Sequence, residues 1–157
     1  MIQRIQTVWL LISSLVLCGL FIFPFVGYID LVGLGKNIYV TGVYSSANNV
    51  TTKESGFLLM TIATVILALI PIFIIFQYKN RKLQLNLILV QVILICLFAV
   101  WMFVSANNIL GLINQSIGAS NIGIGFFLLP VSILCLSFAI RGIRNDNKLI
   151  KSADRLR

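Results

Sequence analysis

The chain has 157 residues, 59% hydrophobic and 10% charged, and its net charge of +8 comes from twelve Lys and Arg against four Asp and Glu. A soluble domain carries about a quarter charged residues, so this composition excludes a water-soluble globule and makes lipid the natural solvent. There is no histidine, and Cys18, Cys96 and Cys135 all sit inside apolar stretches without a CxxC pair, which argues against a zinc site or a disulfide framework.

In chain order, a short polar start leads into an apolar block at 8–26. Phe23, Pro24 and Phe25 stand where a signal peptide would carry a small-x-small cleavage site, so the block reads as an uncleaved span. An external loop follows at 27–56. Within it, 28–32 (YIDLV) and 38–44 (IYVTGVY) read as two strands joined through Gly33 to Asn37, a β-hairpin, and the Ser/Asn/Thr-rich stretch 45–55 reads as a flexible return.

Three more apolar blocks lie at 57–78, 85–104 and 122–140, and none of the four holds an Asp, Glu, Lys or Arg. Each is near the ~20 residues that a helix rising ~1.5 Å per residue needs to cross the hydrocarbon. Helices are required because every backbone polar group must find its partner inside the lipid. Pro71 and Pro130 are expected to kink the second and fourth spans. The expected fold is therefore an all-α membrane protein, a four-transmembrane-helix bundle with a small β-hairpin in the first external loop, forming one domain over 1–157.

Orientation follows from the cations. With the N-terminus inside, ten face the cytoplasm: Arg4, Lys79, Arg81, Lys82, Arg141, Arg144, Lys148, Lys151, Arg155 and Arg157. Only Lys36 and Lys53 then lie outside, as the positive-inside rule favours. The tail, 141–157, reads as a short basic amphipathic helix on which Leu149, Ile150, Ala153 and Leu156 recur at helical spacing. Its cations Arg141, Arg144, Lys148, Lys151, Arg155 and Arg157 are candidates for contact with anionic lipid headgroups, a cytoplasmic protein or ribosomal RNA. Asp146 and Asp154 dilute that charge.

Chemistry within the spans is sparse. Gln91 reads either as part of a polar stripe facing a cavity or, more commonly, as an interhelical hydrogen bond that locks the bundle, with Gln84 and Asn86 at the headgroup boundary. Thr61, Thr64 and Ala68 give the second span a small-residue face suited to helix packing. Gly118, Gly123 and Gly125 beside the fourth span lack the strand-to-soluble-helix context of a phosphate cradle. The external carboxylates Asp30 and Glu54 are far apart with no acid–base partner, so no enzyme and no cofactor is expected.

The opening residues MIQRIQT and the closing residues KLIKSADRLR, with the span number and the long first external loop, resemble an uncharacterised family of four-span integral membrane proteins typical of the Bacteroidota, a domain of unknown function. The resemblance implies a bacterial inner membrane and supplies no catalytic or binding residues. The expected function is a structural or accessory subunit of an inner-membrane protein complex. It would bind integral membrane partners, or further copies of itself, through spans, hairpin and tail. A small transporter or lipid-handling protein with a cavity near Gln91 is the alternative.

Overall fold

A computed structural model describes residues 3–29, 35–47, 50–78, 80–111, 118 and 121–155, at 3–4, 28–29, 47, 50–51 and 147–155 as backbone alone. The order is α1 (Gln3–Cys18), a 3₁₀ turn (Gly19–Phe21), β1 (Val26–Ile29), β2 (Gly35–Tyr39), β3 (Gly42–Ala47), β4 (Val50–Gly56), α2 (Leu58–Phe76), α3 (Arg81–Gly111) and α4 (Ile124–Arg155). The helices form a ring in which α1 packs against α2 and α4, and α3 closes the circle against the same two.

Three helices are long and apolar enough to cross a membrane: Leu58–Phe76, Arg81–Gly111 and, within α4, Ile124–Asp146; Ile5–Phe21 is apolar but shorter. The outer faces carry exposed Leu, Ile, Val and Phe. On α1, Ile5, Val8, Leu11 and Leu15 point outward; on α2, Leu59, Ile66, Leu69 and Phe73; on α3, Leu89, Ile93, Leu97 and Val100. In water, so continuous an apolar surface would drive association. The inward face of α3 is a stripe of Gln84, Ile88, Gln91, Ile95, Phe98 and Met102, alternating four and three residues apart. That spacing keeps one seam facing its neighbours along the helix.

Element boundaries differ from the sequence expectation in three places. The first helix begins at Gln3 and gives way to the 3₁₀ turn at Gly19, ahead of Pro24, instead of spanning 8–26. Pro24 has no N–H to give a helix and biases the residue before it away from helical geometry. Next, α3 runs on to Gly111, beyond the expected end at 104. Third, α4 continues from the apolar block through the tail to Arg155, so the basic segment 141–155 is the same helix and not a separate one. Pro71 and Pro130 lie inside unbroken helices.

The largest correction concerns the expected hairpin. The segment folds as a four-stranded antiparallel meander in the order β1-β2-β3-β4. The expected strand 38–44 is two strands, because the chain turns at Val40–Thr41 and Gly42 adopts φ +148°. A Cβ there would lie 2.1 Å from the Ser55 carbonyl oxygen, so only glycine serves. The expected flexible return instead forms the second half of β3 and nearly all of β4, paired Ser45↔Thr52 and Ser46↔Thr51 with a bulge at Val43/Tyr44. Thr and Val are good strand formers once a neighbour is present, and the hydroxyls of Ser45 and Thr52 meet across the pair at 3.0 Å. Residues 30–34 of the expected first strand and turn lie outside the described residues.

One face of the sheet closes the end of the helix ring. Val26, Ile38, Val40 and Val43 are buried there in one apolar cluster with Phe25 and Met60. Phe25 N–H donates to the Ile38 carbonyl, Phe57 N–H to Thr41, and the Thr61 hydroxyl to Val40 at 3.0 Å. Residues leading into α4 complete the junction, since Ile122 bridges Val26, Gly123 N–H donates to the Phe25 carbonyl and Gly125 N–H to Pro24. These bonds satisfy donors that a helix start leaves without intrahelical partners.

Candidate functional site

Two polar side chains inside the ring reach the backbone one turn before Pro71. Proline has no N–H, so the carbonyl four residues earlier, that of Leu67, loses its helical donor. Buried without a donor, such a group costs about 1–3 kcal/mol. Gln91 Nε2, from α3, donates to the Leu67 oxygen at 2.9 Å. From the other side, the Ser14 hydroxyl of α1 donates to the next carbonyl, Ala68, at 2.7 Å. Two neighbouring helices thus fasten onto the backbone that the proline opens. The other amide atom, Gln91 Oε1, is buried with no partner among the described residues.

This arrangement makes the value of Gln91 depend on Pro71. Gln91→Leu should cost about 1 kcal/mol in the native chain. It should cost close to nothing in a Pro71→Ala background, where the alanine N–H satisfies Leu67. Unfolding of the four combinations in mixed detergent micelles measures the coupling; equal costs in both backgrounds would show the bond to Leu67 to be incidental.

Thr64 is fully buried and returns its hydroxyl to the Met60 carbonyl of its own helix. Ala68 is buried at the α1 contact. Thr61, by contrast, anchors the sheet through Val40. Gln84 is buried, and its amide approaches the Ile74 carbonyl at 3.5 Å near the end of α2, while Asn86 is exposed. Ser13 and Ser132 join α1 to α4, their hydroxyls 2.8 Å apart. At the end of the ring away from the sheet, Gln6 Nε2 donates to Asp146 Oδ2 at 2.9 Å, both residues buried. Asp146 therefore faces α1 and does not dilute a solvated tail, as the sequence suggests; sequence reasoning missed the pair because 140 positions separate its members.

Three surface features remain. A hollow of about 290 Å³ on the sheet is lined by Phe21, Asn37, Tyr39, Thr41, Tyr44 and Ser46, with the two tyrosine rings edge to face at 5.3 Å. Between α2 and α3 runs an apolar groove of about 280 Å³ that Ala63, Leu67, Leu94, Phe98 and Trp101 help to form. On α4, Ser137, Ile140, Arg141, Arg144 and Asn145 line an open hollow of about 560 Å³. Arg141 and Arg144 are exposed. Lys148, Lys151 and Arg155 follow on the same helix as backbone, and Arg157 lies outside the described residues. Among the described residues no group of three or more His, Cys, Asp or Glu is placed to hold a metal. The cysteines are free, Cys135 buried and the other two exposed.

Helices of membrane-crossing length and apolarity, an antiparallel sheet closing one end of their ring and interior polar groups engaged mainly in helix contacts define a small helical membrane protein. The chain belongs to the family described as a domain of unknown function, DUF4293, whose model matches residues 2–156. No curated protein and no solved structure matches the chain.

Proposed function

We propose that this chain is a four-span protein of a bacterial inner membrane, with both termini cytoplasmic, that serves as a structural or accessory subunit of a membrane protein complex. The observation that carries this reading is where the interior polar groups go. Ser13, Ser14, Gln91 and Gln6 each bond to another helix and Thr64 to its own, while the apolar outer faces and the sheet are left open to contact. An interior of this kind holds helices together and offers partners a rigid surface. The outward stripe of Ile5, Val8, Leu11 and Leu15 supports α1 as the fourth span, its shortness against a ~30 Å core being met by local thinning of the bilayer. The cation distribution supports the orientation.

Crosslinking in the native membrane, extraction in mild detergent and affinity purification test the proposal. A membrane protein recovered in stoichiometric amount with the chain is the expected result. Recovery of the chain alone, as a monomer, would sink the subunit reading. A small transporter or lipid-handling protein remains as a second reading because Gln91 Oε1 is buried without a partner. It draws little from the groove that shares Leu67 with that amide, whose lining is apolar.

A further inference from the structure

We infer that α4 carries a binding site for one anionic, glycerol-headgroup phospholipid, with Arg141 and Arg144 holding the phosphate. The inference rests on the membrane placement proposed above and adds a specific ligand to it.

Four observations converge on this site. First, the two guanidiniums are exposed and three residues apart, which puts them on one face of the helix. Second, no carboxylate among the described residues neutralises them. Glu54 pairs with Lys36 at 3.0 Å at the sheet end, and Asp146 is turned inward to Gln6. Third, the hollow they line with Ser137, Ile140 and Asn145 has room for a polar headgroup, at about 560 Å³. Fourth, the same face runs back along α4 through Phe138, Leu134, Val131 and Phe127, all exposed. Their spacing of four, three and four residues keeps them in one stripe that ends at Arg141.

From the middle of the helix outward, this face is therefore apolar and then doubly cationic, the order of groups in a phospholipid lying alongside it. Guanidinium forks match phosphate oxygens two at a time, which suits arginine to the task. Ser137 already donates its hydroxyl to the Ile133 carbonyl at 2.9 Å. Its free lone pairs can accept a hydrogen bond from a headgroup hydroxyl, as can the Asn145 amide oxygen. A glycerol headgroup has such hydroxyls and choline has none.

Trp9 reports on the site, because its ring lies 4.9 Å from that of Phe138, three residues before Arg141. Changing Trp101 to Phe leaves Trp9 as the only tryptophan. The protein is reconstituted in phosphatidylcholine vesicles containing a small fraction of brominated phosphatidylglycerol or, separately, brominated phosphatidylcholine. Brominated phosphatidylglycerol should be enriched around Trp9 by roughly fivefold over its bulk fraction. In R141Q/R144Q the enrichment should fall to about onefold, whereas R141K/R144K, which keeps the charge and loses the fork, should retain an intermediate part of it. Millimolar inorganic phosphate should leave the enrichment unchanged. Equal quenching by the two lipids would overturn the proposal. So would an enrichment that survives R141Q/R144Q, a loss as complete in the lysine pair as in the glutamine pair, or displacement by inorganic phosphate, which would identify a free-anion site. If neither lipid quenches Trp9, the membrane placement itself fails, an outcome distinct from loss of selectivity between headgroups.

Discussion

Replacing Gly123 with alanine should destabilise the fold by about 2–3 kcal/mol, the scale of overpacking where nothing can move aside. A Cβ at this position would stand 2.2 Å from the Pro24 carbonyl oxygen and 2.9 Å from its carbon. Both are backbone atoms, so no side-chain rotation relieves the clash. Relief requires α4 to withdraw from residues 24–25, which breaks the bonds from Gly123 N–H to Phe25 and from Gly125 N–H to Pro24, each 2.9 Å. The bridge between Ile122 and Val26 would loosen with them, detaching the sheet from the start of α4. Gly111→Ala is the internal control, since an added Cβ there meets nothing within 4 Å. It should change stability by less than about 0.5 kcal/mol. Detergent–denaturant titration followed by circular dichroism compares the two variants; equal effects would show that the close approach at Gly123 is not what holds the junction.

The second large effect is expected at the pair of Gln6 and Asp146. Gln6→Leu removes the amide donor that reaches the Asp146 carboxylate at 2.9 Å, while that group stays only 7% exposed. A hydrogen bond to a charged group contributes about 1.5–3 kcal/mol, and the single variant should lose an amount in that range. Changing both residues to leucine should restore most of it, because the double variant strands no polar group. The same unfolding titration, run as a double-mutant cycle, measures the coupling. A double variant no more stable than Gln6→Leu would show that the bond is not what secures α1 to α4. Ile143, fully buried one turn before Asp146, would then be the contact to test at this end.

Much of the helical architecture is legible in the chain because hydropathy is a local property. A run such as 57–78 needs no knowledge of its neighbours to declare itself apolar, and α2 begins and ends within two residues of that expectation. The sheet was only half legible. Its strands are short, and β4 is polar, with Thr52, Lys53, Glu54 and Ser55 exposed along the outer edge of the meander. Charged and polar residues are how an edge strand avoids pairing with other chains, and the same composition reads as coil when the partner strand is unseen. Likewise Gln84, Asp146 and Gly123 carried no signal of their own. The contact of Gln84 with α2 is invisible until the end of that helix is placed beside it, and Gly123 reads only as a glycine at the start of the fourth span until Pro24 approaches.

By itself, then, the sequence determined the solvent, the number and rough extent of the apolar helices and the asymmetry of charge between the two ends. These are sums over residues near one another in the chain. Only the tertiary structure decided that Gln91 of α3 meets the Leu67 carbonyl opened by Pro71, that Ser14 of α1 meets the Ala68 carbonyl beside it, and that Asp146 turns inward to Gln6. Each of these pairings joins atoms many residues apart. A buried donor or acceptor selects its partner by distance and desolvation in the folded bundle, and neither quantity exists until the helices have packed.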